Sequence, residues 1–316
     1  MKLARYVGGG KIAIEIVREP ELPTGGLLVK AEACGLCSGE LMAWYMDRKV
    51  PHVLGHEVAG KVVESGDSRF PVGSRVFAHH HAPCMKCAAC LRGAYVHCPQ
   101  WRATRLDPGG MAEFFAVSPE NLTDTHVLGD LRPQEAALIE PLACVLKSLS
   151  RAGSFSSVAV VGLGSMGLMH LLAAPGRAVG YDLNGARISW AKELGLDARP
   201  TSASARAETV VVCPGSASAF DLGLRIVEPG GRIVLFAPFS PNERLDVPWE
   251  RVYFDEIELI PSYSCGPEDV SRAIAMLRQG RICAEQVVSH FVSLDELPAA
   301  YEAMKVGDIL KAMVLF

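Results

Sequence analysis

The chain has 316 residues, 49% of them hydrophobic, and a formal net charge of −4 at pH 7. This length exceeds what one hydrophobic core usually supports, so we expect two domains. The lack of a basic surplus argues against nucleic acid as a partner. No apolar run of signal-peptide length follows Met1, so we expect a cytoplasmic protein. There, ten cysteines indicate metal ligands and buried thiols rather than disulfides.

The part of the chain up to about residue 140 has the pattern of a β-rich domain. Apolar and polar residues alternate along Lys11–Val17, and two further apolar runs, Leu27–Ala33 and Val58–Glu64, lie between proline and glycine turns. Alternation with period two is typical of half-buried strands. We therefore predict strands at these three places.

Four cysteines then occur within fifteen residues, with the spacing C-x2-C-x2-C-x7-C. They are Cys84, Cys87, Cys90 and Cys98. Four thiolates this close together can surround one tetrahedral Zn²⁺ and leave no coordination position open, which is typical of a structural site. The sequence therefore predicts a structural zinc here.

From about Ser157, short apolar strands alternate with helical segments. The predicted strands are Val158–Val161, Ala178–Tyr181, Thr209–Cys213, Arg232–Phe236 and Glu256–Tyr263, and the predicted helices are Leu168–Ala174, Ala186–Leu194 and Ala219–Val227. This alternation predicts a parallel sheet covered on both faces. The apolar run 158–174 contains three glycines and His170, so we predict a strand, turn and helix there and no membrane span. Two helices, Glu268–Gln279 and Asp295–Met304, and a strand, Ala312–Phe316, complete the prediction.

A glycine turn joins the first of these strands to its helix. The predicted cofactor-binding residues of this turn are Gly162, Gly164, Ser165, Met166 and Gly167. Its glycines permit a tight turn and let backbone N–H groups approach a pyrophosphate. Asp182 ends the next strand, where a carboxylate accepts hydrogen bonds from the adenosine ribose and repels a 2′-phosphate. Because Leu183 and Asn184 offer no cation, we predict NAD rather than NADP. The alternative is a glycine turn in an unrelated α/β fold, with Asp182 as a helix cap.

A second set of potential metal ligands is spread along the first half of the chain: Cys37, His56, Glu57 and Glu140. A mixed cysteine, histidine and carboxylate set suits a catalytic Zn²⁺ that keeps one position for water or substrate. The spacing alone leaves an alternative open, because a single His-Glu pair is often a surface pair and a single cysteine often belongs to the core.

The chain resembles the zinc-dependent medium-chain alcohol dehydrogenases over essentially its whole length. The motifs that carry this resemblance occur in the family's order: Cys37, Gly55-His56-Glu57, the four-cysteine segment, Glu140-Pro141 and the glycine turn. The Glu-Pro segment is similar to that of the polyol (sorbitol/L-iditol) and threonine dehydrogenases. The resemblance implies an α/β fold with a GroES-like β-rich catalytic domain (1–141), a Rossmann domain with a doubly wound parallel sheet (142–263) and a C-terminal return to the catalytic domain (264–316).

The same resemblance implies roles for individual residues. Cys37 and His56 would bind catalytic zinc, with Glu57, Glu140 and water as the remaining ligands. Lys311 matches a basic position that contacts the cofactor pyrophosphate, the alternative being a solvated surface lysine. An edge strand at Glu256–Tyr263 would join two copies into a homodimer or homotetramer.

Two positions depart from the family pattern. Gly39 stands where a proton-relaying serine or threonine is usual, and Met42 stands where a histidine is frequent. Ser38, Glu57 or a water chain would then carry the proton. Glu40, where aspartate is usual, would orient the imidazole of His56.

The sequence therefore predicts reversible hydride transfer between a secondary alcohol or polyol and NAD, with zinc as a Lewis acid. A threonine-type amino-alcohol dehydrogenase is one alternative. An inactive scaffold with a zinc interaction lobe is another, and a zinc-free quinone reductase fits less well. We interpret Cys34 as a packed thiol, and we expect His79-His80-His81 to have a structural or substrate-cleft role rather than to bind metal.

Overall fold

A computed structural model describes residues 1–203 and 205–316. The chain divides into two compact units. The first, the discontinuous unit, comprises Met1–Ala143 and Cys265–Phe316, and the second, the inserted unit, comprises Cys144–Ser264.

The strands of the described residues are numbered here in chain order: β1 Lys2–Gly8, β2 Lys11–Ile16, β3 Leu27–Gly35, β4 His52–Val53, β5 Glu57–Ser65, β6 Arg75–Ala78, β7 Leu106–Asp107, β8 Phe114–Val117, β9 Thr125–Val127, β10 Ser157–Val161, β11 Arg177–Asp182, β12 Ala198–Pro200, β13 Ala207–Val212, β14 Val227–Leu235, β15 Glu258–Pro261, β16 His290–Val292 and β17 Ala312–Leu315.

The α-helices are numbered in the same way: α1 Ala43–Met46, α2 Ala88–Leu91, α3 Pro99–Ala103, α4 Pro133–Ala136, α5 Ile139–Arg151, α6 Ser165–Ala173, α7 Gly185–Glu193, α8 Ala217–Ile226, α9 Trp249–Phe254, α10 Pro267–Arg278, α11 Ala284–Val287 and α12 Leu297–Val306. Short 3₁₀ turns occupy Ser38–Leu41, Asp47–Lys49, Tyr95–His97, Asn121–Asp124 and Leu294–Glu296.

Antiparallel pairing builds most of the discontinuous unit. A larger sheet has the order β16-β17-β3-β5-β6-β9, with β8 also on β3 and β7 on β8, while β1 lies between β2 and β4 in a small sheet. Strand β3 is central, because it pairs with β5 along its length, with β8 near Leu27 and with β17 near Gly35. The chain's last strand therefore completes a sheet begun near its start.

The core of the discontinuous unit lies under these sheets. Large, fully buried side chains such as Tyr6, Phe115 and Tyr301 pack together with Leu36 and Met46. Leu36 and Met46 flank the turn that carries Cys37, so the core fixes the backbone on both sides of that candidate ligand. Cys34 is also fully buried in this core, which confirms its interpretation as a packed thiol.

The inserted unit contains a six-stranded sheet of order β12-β11-β10-β13-β14-β15, and every pair in it is parallel. All five residues of β10 are buried, as expected for a central strand with helices on both faces. The order reverses next to β10, where β11 lies on one side and β13 on the other. The predicted parallel α/β sheet is confirmed.

The apolar run 158–174 forms strand β10, a turn and helix α6, as predicted. Within the described residues, none of the helices has both the length and the apolar character needed to cross a bilayer. Helix α6 ends at Ala173, just before Pro175, so it has the short length expected from the sequence.

Candidate metal and cofactor sites

The four-cysteine segment forms a compact cluster of sulfur atoms. Cys84 Sγ lies 4.0 Å from Cys90 Sγ, and Cys87 Sγ lies 3.5 Å from Cys90 Sγ. Four sulfurs around one zinc at ~2.3 Å would be about 3.8 Å apart in a regular tetrahedron. The backbone N–H of Cys84 also donates to Cys98 Sγ at 3.3 Å, as is common for a sulfur held as thiolate. The cluster therefore fits a structural zinc.

A second group of potential ligands consists of Cys37, His56 and Glu57, whose ligand atoms all lie within 4.8 Å of one another. Cys37 caps the 3₁₀ turn after β3, and Gly39 N donates to its sulfur at 3.4 Å. His56 precedes β5, and Glu57 is the first residue of that strand. The antiparallel pairing of Gly35 with Glu57 brings these two parts of the chain together.

Glu40 orients the imidazole of His56 through its Nδ1 side. Its buried carboxylate accepts a hydrogen bond from Gly55 N at 2.7 Å and lies 3.4 Å from His56 Nδ1. Burial opposes ionisation, but the neighbouring His56 and the Gly55 N–H together lower the pKa of Glu40 below its usual value. A carboxylate on Nδ1 leaves Nε2 of the ring for a metal, a common arrangement around zinc-binding histidines.

Glu57 is paired with a buried lysine. Lys311 Nζ lies 2.5 Å from Glu57 Oε2 and donates to Leu36 O at 3.0 Å, and the lysine is only 2% exposed. The alternative that Lys311 is a solvated surface residue is therefore wrong. Glu57 Oε1, by contrast, is buried and has no hydrogen-bond partner among the described residues. A buried carboxylate oxygen without a partner, in a group with Cys37 and His56, fits a metal ion.

Gly35 is required for this pairing. A Cβ at Gly35 would lie 2.1 Å from Glu57 Oε2 and 3.1 Å from Lys311 Cε. Any side chain there would push the carboxylate or the lysine away. The close approach of β3 to β5 and to Lys311 thus depends on a glycine at this position.

Glu140 belongs to a third group, with His79 and His80, rather than to the group of Cys37. His79 is fully buried: its Nδ1 lies 2.7 Å from Asp124 Oδ2, and its Nε2 lies 3.6 Å from Cys265 Sγ. The three predicted ligands Cys37, His56 and Glu57 are thus brought together, and Glu140 lies with two histidines that we expected not to bind metal.

The two groups are neighbours in the discontinuous unit. The rings of His56 and His80 have their centroids 4.9 Å apart, and the charge of Glu140 raises the pKa of Glu57, a smaller effect than burial, which also raises it. This adjacency was not predicted from the sequence. The only local signal was the position of the histidines at the end of an apolar strand, directly before the cysteine cluster.

Ser38 and Met42 complete the surroundings of Cys37. Ser38 is exposed, and Met42 caps helix α1 without any side-chain hydrogen bond. A Cβ at Gly39 would make only ordinary contact, 3.5 Å, with Cys37 Sγ. A serine or threonine would therefore fit at position 39, and its absence there is not forced by packing.

The glycine turn of the inserted unit lies between β10 and α6. A Cβ at Gly167 would lie 1.8 Å from Gly162 O, so only glycine lets the helix start this close to the strand. Nothing lies within 4 Å of a Cβ at Gly164, which leaves space in front of the turn. Ser165 Oγ, at the N-terminus of α6, is buried and has no partner among the described residues. This arrangement fits a pyrophosphate.

Asp182 ends β11 and holds the same turn. Its carboxylate accepts hydrogen bonds from Leu163 N at 2.6 Å and from Asn184 N at 2.7 Å. Arg187, on helix α7, has Nη1 4.0 Å from Asp182 Oδ2. This cation was not expected from the sequence, because it lies beyond the two residues that follow Asp182.

The comparisons with known proteins agree with this geometry. The family model of the alcohol dehydrogenase GroES-like domain matches residues 23–126. A D-altritol 5-dehydrogenase of Agrobacterium fabrum is 30% identical over 94% of both chains. The chain belongs to the zinc-dependent medium-chain alcohol dehydrogenase family.

Other relatives of this dehydrogenase have related descriptions. A sorbitol dehydrogenase of Halalkalibacterium halodurans is 25% identical over 97% of this chain and 96% of its own. A solved structure described as a zinc-binding dehydrogenase from Sinorhizobium meliloti 1021, bound to NADP, is 25% identical with a TM-score of 0.87. The match covers 100% of this chain and 99% of that chain. The GroES-like and Rossmann folds predicted from the sequence are thus confirmed, and this medium-chain dehydrogenase is an oxidoreductase that acts on alcohols.

Proposed function

We propose that the chain oxidises a secondary alcohol or polyol reversibly, with NAD as the hydride acceptor. The observation that carries this proposal is the group of Cys37, His56 and Glu57, with the partnerless Oε1 of Glu57 buried beside them. A mixed sulfur, nitrogen and oxygen set suits a zinc site that retains an open position.

The residues around this group have separate tasks in the proposed reaction. Zinc, when bound, supplies a Lewis acid that lowers the pKa of the alcohol. Glu40 keeps the ring of His56 oriented, and Lys311 holds Glu57 through one carboxylate oxygen. The exposed Ser38 is the proposed proton carrier in place of a residue at position 39, and Glu57 takes that role only when its Oε1 is not bound to the metal.

The turn from Gly162 to Gly167, with Ser165 and Met166, is proposed to bind the cofactor pyrophosphate, and Asp182 to bind the adenosine ribose. The buried Lys311 is already bonded to Glu57 and Leu36. A pyrophosphate contact by Lys311 would require it to leave those partners, so we assign it first to Glu57.

None of the ten cysteines forms a disulfide within the described residues. This agrees with the proposed cytoplasmic location, in which thiols stay reduced. For the partner, we propose a second copy of the chain in a homodimer or homotetramer.

The experiment is a panel of polyols, L-threonine and simple secondary alcohols, followed by NADH absorbance, together with zinc analysis. We expect about two zinc ions per chain. Cys37→Ala should abolish turnover and leave NAD binding unchanged, whereas Cys283→Ala, a matched cysteine replacement outside all of these ligand groups, should retain turnover. One zinc per chain with no turnover on any alcohol would favour the inactive scaffold instead.

A further inference from the structure

His170 is an imidazole in the middle of an apolar helix. Apart from Ser165 and His170, helix α6 consists of glycine, alanine, leucine and methionine. His170 is also fully buried. Burying an imidazole costs free energy unless its nitrogens have hydrogen-bond partners, so those partners indicate why a histidine stands here.

Both nitrogens of His170 have a partner. Nδ1 lies 2.7 Å from Met166 O, and Nε2 lies 2.6 Å from Ser148 Oγ. A carbonyl oxygen can only accept, so Nδ1 carries a hydrogen and donates it to Met166. Burial lowers the pKa of His170 to about 4, although the bond to Met166 opposes this effect. The ring is therefore neutral near pH 7, and Nε2 accepts from Ser148.

The ring is held in place by four elements of the inserted unit. Ser148 lies on helix α5 and Met166 on α6. Cys213 Sγ lies 3.8 Å from Nδ1, and the ring of Phe236 meets the imidazole edge to face with centroids 4.8 Å apart. Cys213 and Phe236 directly follow strands β13 and β14. His170 thus lies at the carboxyl ends of the central strands, where parallel sheets bind their ligands.

The bond to Met166 acts on the glycine turn through one peptide group. Met166 C=O and Gly167 N–H belong to the same amide, and a hydrogen bond to the carbonyl polarises that amide and strengthens its N–H as a donor. Gly167 N–H is one of the first four donors of α6, which have no partner within the helix. His170 therefore orients and strengthens a donor at the helix N-terminus.

A separate observation shows that this helix end is built for a ligand. Ser165, in the first turn of α6, is 7% exposed, and its buried Oγ has no hydrogen-bond partner among the described residues. Helix N-termini bind anions such as phosphate groups. The unpartnered hydroxyl and the strengthened Gly167 N–H are thus two donors at the same end of α6.

We propose that His170 is a positioning residue for the cofactor pyrophosphate, acting through the amide between Met166 and Gly167. This inference rests on the proposed function for the presence of NAD at the turn. His170 itself does not touch the cofactor. Its task is to keep the carbonyl of Met166 engaged from inside the unit, so that Gly167 N–H stays directed at the phosphate.

The test compares two ligands that differ only in the diphosphate. ADP and adenosine each compete with NADH, whose fluorescence reports binding without any alcohol. His170→Phe keeps a ring and removes both nitrogens, so the affinity for ADP should fall at least about fivefold and that for adenosine less than about twofold. His290→Phe, which replaces an exposed histidine, is the control and should change neither. Equal losses for the two ligands, or no loss, would overturn the proposal.

A conservative variant separates positioning from support of the fold. His170→Asn keeps an N–H that can reach Met166 O but leaves a cavity, so it should lower the melting temperature and still bind ADP within about twofold of the parent protein. If His170→Phe does not fold, His170→Leu takes its place in this comparison. An asparagine variant that binds ADP as weakly as the apolar one would refute the proposal. A parent protein that binds NADH but oxidises no alcohol of the panel would refute the proposed function and leave this result intact.

Discussion

Lys311 Nζ lies 2.5 Å from Glu57 Oε2, although the two residues are 254 positions apart in the chain. Burial raises the pKa of Glu57, and Lys311 opposes this effect. Both side chains are at most 2% exposed, so each charge depends on the other. The pair connects the residue just before β17 to the residue next to His56, and so couples the stability of the unit to the geometry of the candidate metal site.

Replacing Lys311 should therefore lower the stability of the fold. Lys311→Met leaves a buried carboxylate without its partner, and we expect a loss of roughly 3–5 kcal/mol in the free energy of unfolding, measured in urea. The double variant Glu57→Gln with Lys311→Met should recover much of that loss. Lys305→Met, which removes an exposed pair with Glu302, is the control and should cost less than about 1 kcal/mol. Equal losses for the two lysines would contradict this account.

Loss of one sulfur from the cysteine cluster should affect stability before chemistry. Cys84→Ser is expected to lose the structural zinc, lower the melting temperature and expose the small core formed by Val96 and Trp101. Zinc analysis and Trp fluorescence would follow this change. A folded Cys84→Ser protein that keeps its metal but loses hydride transfer would mean that the two zinc sites have been assigned the wrong way round.

Cofactor preference should depend on Asp182 and Arg187 in opposite ways. Asp182→Gly removes the proposed ribose acceptor and also the bonds to Leu163 N and Asn184 N, so NAD should bind at least about tenfold more weakly. Arg187→Ala should reduce turnover with NADP and change the Michaelis constant for NAD by less than about threefold, because only a 2′-phosphate needs the guanidinium. If both variants leave the NAD/NADP ratio unchanged, the roles assigned to Asp182 and Arg187 are wrong.

Acid should lower the free energy of unfolding, partly through protonation of Asp124. Burial opposes its ionisation, but hydrogen bonds with His126 and His79 prevail and lower the pKa of Asp124. Because the folded pKa is below the unfolded value, the carboxylate stabilises the fold above about pH 4, and this stabilisation is lost as the pH falls through the folded pKa. Asp124→Asn should cost roughly 2–4 kcal/mol at neutral pH. Urea unfolding from pH 7 to pH 3 should show the difference between parent and variant shrinking in acid; a constant difference would exclude this origin.

Association should involve the edge of the six-stranded sheet. Strand β15 lies at one edge of that sheet. On helix α9, which precedes it in the chain, the exposed fractions of Trp249, Tyr253 and Phe254 are 66%, 76% and 76%. Exposed strand edges pair readily with other chains. We expect a dimer or tetramer in sedimentation, and Ile260→Lys on β15 should shift it toward monomer. A monomeric parent protein would rule this interface out.

The fold was largely predictable because its signals are local. Short buried strands alternating with helices predicted the sheet around β10, and observed bounds differ by a few residues at the ends. Helix α6 begins at Ser165 rather than Leu168, since its first turn belongs to the glycine motif. Helix α5 was not predicted, because Glu140-Pro141 was considered only as a ligand segment, although proline is well tolerated in a first turn.

The candidate site was predictable only in part. Cys37 follows β3, and Glu57, next to His56, begins β5. These two strands pair directly, so a sequence motif is enough to identify the three residues. The approach of His79 and His80 to Glu140 depends on the packing of distant segments, which leaves no spacing to recognise. Lys311 reaches Glu57 because β17 pairs with β3 at Gly35, and a register between strands so far apart in sequence is not readable from either one.

The place of β17 between β16 and β3 has a consequence for biosynthesis. While the ribosome is still making residues beyond 264, the inserted unit is complete, but β3 lacks its partner along Ala33–Gly35. The nascent chain therefore carries an open sheet edge next to Cys37, and Glu57 remains without its lysine. The candidate metal site can be completed only after β17 has joined β3, so zinc is expected to bind there later than in the cysteine cluster, whose four ligands all lie before residue 99.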